Sequence, residues 1–109
     1  MIVTDIVELS KSRSRVYLDG EFAFVLYKGE LRLYQLAEGP EVAEDTFREI
    51  TEQLLPKRAK LRAMNLLKVR PYTVRQLTDK LKQGGYPEEI VETAISYVES
   101  FGYLNDKRY

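Results

Sequence analysis

The 109-residue chain contains neither cysteine nor histidine. Without cysteine it can form no disulfide and supplies no thiolate. Without histidine it lacks the most common general base and the most common metal ligand. An enzyme built on this sequence would depend on carboxylates, lysine, serine, threonine or tyrosine, and no nucleophile stands beside a recognisable base. We therefore predict a protein that is not an enzyme and that uses no catalytic residue, no metal, no cofactor and no small-molecule substrate.

Long apolar runs are missing as well. No stretch approaches the roughly 20 residues that a helix needs to cross a bilayer. Residues 1–5 have neither the basic nor the apolar segment of a secretion signal. We expect no membrane contact and a cytoplasmic protein. The hydrophobic fraction of 44% and the charged fraction of 31% are typical of an ordinary globular domain rather than a disordered chain.

Acidic and basic residues balance overall, with 17 of each, but they are segregated along the chain. Residues 57–86 include nine basic residues and one acidic residue, whereas residues 38–53 include six acidic residues and one basic residue. Residues 87–106 include five acidic residues and no basic residue. This pattern suits an anionic partner that binds the basic segment. Alternatively, the charges are solvated helix faces that pair with one another inside the chain.

The N-terminal part has the pattern of strands. Residues 2–9, 15–19 and 22–27 are rich in β-branched and aromatic types, which favour strands. Asp19-Gly20 predicts a tight hairpin turn, because glycine tolerates a positive φ. We predict a three-stranded antiparallel β-meander. Residues 10–14 are interpreted as a polar loop, in which the basic residues near the hairpin could touch an anion or simply be solvated.

Helices are predicted after the strands. Residues 28–36 change to a helical period and predict a short helix, although a strand is an alternative for this segment. Apolar residues at helical spacing predict a second helix over 41–55. Pro56 should end or kink that helix, since its ring nitrogen cannot donate a backbone hydrogen bond. We place the boundary between two domains here. The first covers 1–55 and the second covers 56–109.

The second domain is predicted to contain three helices. The first ends before Pro71. The second begins with Thr73 and Gln76 as a capping box, in which each side chain bonds to the other residue's backbone, and it ends at Gly84-Gly85. The third starts at Pro87 and should bury Phe101 in its core face. Asn105 or Asp106 has the character of an N-cap for a further helix, which predicts that the chain is truncated at the start of a second repeat.

These elements give an α+β fold: an N-terminal three-stranded antiparallel β-meander with helices, followed by one three-helix repeat. The most specific motif of the sequence is the ending Gly102-Tyr103-Leu104-Asn105-Asp106, with Tyr109 after it. Together with Arg62-Ala63, Leu66-Leu67 and Gln76-Leu77, it resembles the repeat of the RecX family of RecA regulators. Residues 15–24 are similar to the strand–turn–strand that precedes the repeats in longer family members. Members usually carry three such repeats, whereas this chain has one.

The resemblance implies a protein that binds the filament of the RecA recombinase and modulates, most often inhibits, its role in recombination, DNA repair and the SOS response. Some members bind DNA directly, so single- or double-stranded DNA is a further candidate partner. No catalytic residues belong to the family pattern. The candidate residues for RecA or DNA binding are the basic side chains Lys57, Arg58, Lys60, Arg62, Lys68, Arg70, Arg75 and Lys82.

Two other functions remain open. The helix pair over 57–83 resembles a helix-turn-helix unit, which would bind DNA directly and with sequence preference. A protein-interaction domain without nucleic-acid contact is the other alternative. The eight tyrosines could stack on single-stranded bases, although a simpler role is to cap small apolar cores with their hydroxyls in solvent.

Overall fold

A computed structural model of the chain describes residues 1–104, and these fall into two compact units that meet between Ile50 and Thr51. We call residues 1–50 the sheet unit and the residues from 51 onward the helical unit. The sheet unit contains strands β1 (Val3–Glu8), β2 (Arg13–Leu18) and β3 (Glu21–Tyr27), then helices α1 (Lys28–Leu33) and α2 (Glu44–Glu49). A π-helical turn covers Ile50–Leu54. The helical unit contains α3 (Leu55–Val69), α4 (Val74–Gln83) and α5 (Glu88–Glu99).

The three strands form an antiparallel sheet in the order β1-β2-β3, which confirms the predicted meander and the α+β class. Asp19 and Gly20 connect β2 to β3 with φ angles of 50° and 83°. Two consecutive positive φ angles are the signature of the type I′ turn, whose twist matches that of the flanking strands. Asp19 also accepts a hydrogen bond on Oδ1 from the backbone N–H of Ile2, at 2.9 Å. The turn is thus tied to the start of β1.

The predicted polar loop over 10–14 is too long. Strand β2 begins at Arg13, two residues before the predicted start, and Ser14 is buried at 3% exposure. The reason is the alternation of β2, in which Ser14, Val16 and Leu18 are buried while Arg15 and Tyr17 between them are more exposed. A period of two extends the strand through residues that look like a loop by composition.

One face of the sheet carries the core of this unit. Val16, Phe24 and Leu26 are almost completely buried, and the Phe24 ring lies 6.4 Å from that of Phe47 on α2. The segment before α2 returns to the outer edge of β1. There Gly39 donates to the carbonyl of Val3 at 2.9 Å, and an isolated bridge joins Ile2 to Glu41. This return covers part of an edge that would otherwise leave backbone groups unpaired.

The helix predicted over 41–55 is wrong in its bounds. Its first residues pair with the sheet edge, since Val42 donates to the Met1 carbonyl at 2.7 Å, so α2 begins only at Glu44. Its last residues form the π-helical turn and the start of α3. Pro56 lies in the first turn of α3, where its missing N–H is not needed by the helix. Since α2, the π-helical turn and α3 follow one another without a break, Pro56 does not end the helix, and it lies directly after the π-helical turn and Leu55.

The helical unit contains the predicted three helices. Small residues lie where α3 and α5 pack. Ala59 and Ala63 of α3 and Ala94 of α5 are completely buried. Helix α4 adds Leu77 and Leu81, both at 0% exposure. The small methyl groups of the alanines allow the helix axes to approach closely, and the leucines fill the remaining volume. This produces a small apolar core within the helical unit.

The ends of these helices follow the sequence signals. Gln76 donates its backbone N–H to Thr73 Oγ1 at 3.1 Å, and Thr73 donates its own to Gln76 Oε1 at 3.1 Å, which confirms the capping box. Gly85 adopts a φ of 88° after α4, as a C-terminal glycine should. Pro87 is the N-cap residue of α5.

Phe101 is not the core residue that its spacing predicts. Helix α5 ends at Glu99, and Gly102 turns the chain with a φ of 72°. Phe101 therefore leaves the buried stripe of α5 and is 54% exposed. The predicted N-cap at Asn105 or Asp106 lies outside the described residues.

Candidate binding surface

The eight basic residues proposed as a binding site are distributed over α3, its C-terminal end and α4. Lys57, Arg58, Lys60, Arg62 and Lys68 lie on α3, Arg70 is its C-cap residue, and Arg75 and Lys82 lie on α4. All of them belong to the helical unit, whose core is made by apolar residues. Six of these cations are exposed, whereas Arg58 and Lys60 are half-buried.

Lys57 and Lys60 are brought together. They line an open groove of about 460 Å³ that also includes Leu61 and Met64 of α3 and Tyr97 of α5. The ammonium of Lys60 lies 5.0 Å from the centroid of the Tyr97 ring, within the range of a cation–π contact. The groove thus combines cationic and aromatic groups, with Glu52 as an acidic residue at its edge.

Lys68 does not lie in this groove. It shares the direction of Lys57 around the helix but is 11 residues further on, which is about 16 Å along the axis at 1.5 Å per residue. Arg70 is engaged inside the chain. Its guanidinium lies 4.1 Å from the Tyr72 ring centroid, and its Nη1 donates to the Pro71 carbonyl at 3.4 Å. The side chain of Tyr72 is buried at 4% exposure, so Arg70 helps cover the core.

Arg75 and Lys82 lie seven residues apart on α4, a spacing that places them on one side of the helix about 10 Å apart. Lys82 lines a second groove of about 440 Å³ with Glu88 and Glu92 of α5, and Arg75 does not. In the part of the chain that the structure describes, no ion pair involves Arg62, Arg75 or Lys82. Pairing inside the chain therefore does not account for these three cations.

Arg58 differs from Arg62, its neighbour one turn later. Arg58 is half-buried, whereas Arg62 is exposed. The exposed cations without an ionic partner are the ones that are available to an anionic surface. Arg62, Arg75 and Lys82 are the clearest members of that group, and the groove of Lys57 and Lys60 adds a second cationic position.

The sequence interpretation missed the role of one side chain and the strand placement of two others. Tyr97 was one of eight tyrosines without a distinguishing feature, and only the tertiary packing of α3 against α5 brings it to Lys60. Arg13 and Arg15 were assigned to a loop region or its border. The alternation of Arg13, Arg15 and Tyr17 with Ser14, Val16 and Leu18 is a signal that could have placed them together on the outer face of a strand.

Among residues 1–104, no helix is long and apolar enough to span a membrane. The same residues include no group of three or more acidic side chains arranged to hold a metal ion. The chemistry that this surface offers is charge, cation–π contact and apolar area. These are the means by which a surface binds a partner macromolecule.

Comparison with known proteins agrees with the fold. The family described as RecX, first three-helix domain, matches residues 59–97, which lie in α3, α4 and most of α5. The regulatory protein RecX of Caldanaerobacter subterraneus subsp. tengcongensis is 33% identical over 110 residues, which cover 100% of this chain and 56% of the relative. That of Clostridium beijerinckii is 27% identical over 109 residues, which cover 100% of this chain and 51% of the relative.

A crystal structure of regulatory protein RecX is similar to this chain with a TM-score of 0.50 and 26% sequence identity. The match covers 95% of this chain and 52% of that structure. The chain thus spans about half the length of the relatives it matches. The match extends through the sheet unit as well as the helical unit, so it does not depend on the three-helix domain alone. The sequence and the fold together support the RecX family of regulatory proteins for this chain.

Proposed function

We propose that this chain binds the filament of the RecA recombinase and restrains its activity in recombination and DNA repair. The observation that carries the proposal is the set of exposed cations on α3 and α4 that have no ionic partner in residues 1–104, with Arg62, Arg75 and Lys82 as its clearest members. Similarity to a family of regulatory proteins supports it. The protein acts in the bacterial cytoplasm as a binding protein without catalysis or a cofactor.

The proposed mechanism is steric and electrostatic. A RecA filament presents phosphates and acidic side chains, both of which attract lysine and arginine. When the helical unit occupies that surface, it hinders the assembly of the filament or its nucleotide-linked cycling. The functional repeat in this proposal spans residues 56–109, preceded by a domain over 1–55.

The proposed contact residues differ in their expected contributions. Lys57, Lys60, Arg62, Lys68, Arg75 and Lys82 contact the filament or its DNA directly. Arg70 contributes to binding mainly by packing on Tyr72, since its guanidinium already covers that ring. Arg58 is half-buried, so its substitution will affect packing as well as charge.

Direct DNA binding is a second candidate, and one observation favours it. Arg75 is the second residue of α4, and recognition helices read bases with residues near their N-terminus. The cations of this site can bind single- or double-stranded DNA by releasing condensed counterions. A protein-interaction domain without nucleic-acid contact is the third candidate, and it predicts binding that does not respond to loss of these cations.

The three candidates are separated by one binding experiment. A RecA filament is formed on single-stranded DNA with a slowly hydrolysed nucleotide and immobilised, and bare DNA is immobilised beside it. Binding of the chain is measured at several salt concentrations. Selective binding to the filament with a steep salt slope supports the proposal, equal binding to bare DNA supports the second candidate, and salt-independent filament binding supports the third. Absence of binding to both surfaces contradicts the proposal.

A further inference from the structure

The face of the sheet that lies opposite the core has its own group of side chains. Across the sheet, Arg15 pairs with Val7 and Val25, Tyr17 pairs with Phe22, and Arg13 pairs with Tyr27. Residues directly opposite on neighbouring strands lie on the same face. We call this surface the arginine–aromatic face and define it by Val7, Arg13, Arg15, Tyr17, Phe22 and Tyr27.

Apolar side chains on this face remain accessible to solvent. Val7, Phe22 and Tyr27 are 46%, 44% and 44% exposed, whereas Phe24, the neighbour of Phe22 on the core side, is 1% exposed. The rings of Tyr17 and Phe22 meet edge to face with their centroids 5.8 Å apart. Val25 is the exception, since it lies opposite Arg15 on the same face but is 5% exposed. Single exposed apolar residues are ordinary, whereas several on one sheet face offer a surface for binding.

The arginines of this face have no internal ionic partner. Nearby cations of the sheet unit do pair, since Lys28 bonds to Glu8 and Arg48 bonds to Glu44 at 2.9 Å. In residues 1–104, no carboxylate forms an ion pair with Arg13 or Arg15. Asp5 is the acidic residue on this face, paired with Tyr17 across the sheet, so the arginines outnumber it. The charge of the face therefore favours an anionic ligand.

We propose that the arginine–aromatic face binds single-stranded nucleic acid. Unpaired bases expose flat π-surfaces that stack on aromatic rings and on guanidinium planes, whereas the bases of a duplex are stacked on one another. Guanidinium groups also form paired hydrogen bonds to phosphate oxygens. An open antiparallel sheet with exposed rings and unpaired arginines supplies both types of contact. An acidic peptide would use the arginines but would leave the rings without a partner of matching chemistry.

This site is separate from the cations of the helical unit and does not rest on binding to RecA. The roles we assign are base stacking for Phe22 and Tyr17 and phosphate contact for Arg13 and Arg15. The basic residue Lys11 lies in the segment between β1 and β2, two residues before Arg13. It would extend the phosphate path along that side of the sheet.

The test measures the affinity of the full chain for a labelled deoxythymidine oligonucleotide of about ten nucleotides, a length within the usual range for single-strand sites. A ribouridine oligonucleotide of equal length distinguishes DNA from RNA as the preferred form. The double variant Arg13→Gln/Arg15→Gln should weaken binding and reduce the slope of log affinity against log salt by about 1.4, which corresponds to two phosphate contacts. Phe22→Ala should weaken binding by about fivefold or more, the loss expected from one stacked base.

Two controls locate the effect. Arg32→Gln removes an exposed charge on α1 and should not change oligonucleotide affinity more than about twofold. Arg62→Gln/Arg75→Gln removes two cations of the helical unit, and its effect shows how much of the oligonucleotide affinity comes from that unit instead of the arginine–aromatic face. Circular dichroism of each variant verifies that the fold is retained. The proposal is overturned if neither oligonucleotide binds, if a duplex of equal length binds as tightly, or if Arg62→Gln/Arg75→Gln abolishes binding while Arg13→Gln/Arg15→Gln does not.

Discussion

The sheet unit and the helical unit use their polar side chains differently. In the sheet unit, polar side chains join positions that are distant in sequence. The carboxylate of Asp19 accepts a hydrogen bond from the N–H of Ile2. Glu38 accepts from the N–H of Ile6 at 2.8 Å, and Thr4 accepts from the N–H of Gly20 at 2.9 Å. These bonds fix the turn and the return segment onto β1, so substitution of a surface residue in this unit can alter its fold.

In the helical unit, the corresponding bonds are local. The side-chain hydroxyls of Thr73, Thr93 and Ser100 bond to backbone groups three or four residues away. The tertiary structure is held by apolar burial, with Leu77, Leu81 and Ala94 at 0% exposure. Because this core is apolar, the unit can vary exposed charges such as those of Arg62 and Arg75 to suit a partner. The comparison shows that surface residues can be substituted to test binding with less effect on the fold in the helical unit than in the sheet unit.

The largest expected effect tests the core of the sheet unit. Phe24→Ala removes a ring that is 1% exposed and contacts Phe47, and it should lower the free energy of unfolding by about 3–5 kcal/mol. Leu33→Ala, at a position that is 71% exposed, is the matched control and should change it by less than about 0.5 kcal/mol. Urea denaturation followed by circular dichroism measures both. Equal losses for the two variants would show that the core is not where the structure places it.

The second prediction tests the core of the helical unit. Leu77→Ala should cost about 2–5 kcal/mol, because the residue is completely buried and its removal leaves a cavity. Leu61→Ala provides the control, since Leu61 is 60% exposed. Native-state hydrogen exchange adds a sharper comparison between the units. If they unfold independently, Leu77→Ala speeds exchange in α3–α5 and leaves β2 unchanged, whereas uniform acceleration would show one cooperative domain.

A smaller effect is expected at the start of α4. Thr73→Ala removes the oxygen that accepts from Gln76 and should destabilise the protein by about 1 kcal/mol. Thr93→Ala makes the same substitution inside α5, where the hydroxyl donates to the Glu89 carbonyl, and should cost less than about 0.5 kcal/mol. Thermal unfolding compares the two. A cost at Thr93 equal to that at Thr73 would argue against the capping role.

The smallest effect concerns charge. Arg62→Gln/Arg75→Gln should change the free energy of unfolding by less than about 0.5 kcal/mol, because neither arginine forms an ion pair in the described residues. Urea denaturation at low and high salt is the measurement. A decrease in the free energy of unfolding of more than about 1 kcal/mol that disappears in high salt would mean that these cations stabilise the fold.

These two units also show what the sequence can predict. The Asp19-Gly20 turn and the Thr73–Gln76 capping box were predicted correctly, because each depends on residues a few positions apart. The exposure of Phe101 was not, because the end of α5 and the turn at Gly102 redirect the chain away from the buried stripe. The start of α2 was missed for a similar reason, since Val42 bonds to Met1 instead of joining a helix.

The candidate site was predictable in composition but not in geometry. The basic segment over 57–86 is visible in the sequence, yet the sequence does not distinguish Arg70, which covers Tyr72, from Arg62, which has no ionic partner in the described residues. The contact of Lys60 with Tyr97 joins residues 37 positions apart, and only the packing of α3 against α5 creates it. Whether a cation is available to bind a partner thus depends on the tertiary structure.

The most direct measurement of the central claim is the affinity of the chain for a RecA filament, compared between two variants that lose the same charge. Arg62→Gln/Arg75→Gln removes two exposed cations of the helical unit, and Arg32→Gln/Arg48→Gln removes two from the sheet unit. We predict that the first weakens filament binding by about tenfold and lowers its salt dependence, while the second leaves both within about twofold. Equal affinities for the two variants, with both still folded, would contradict the assignment of filament binding to the helical unit.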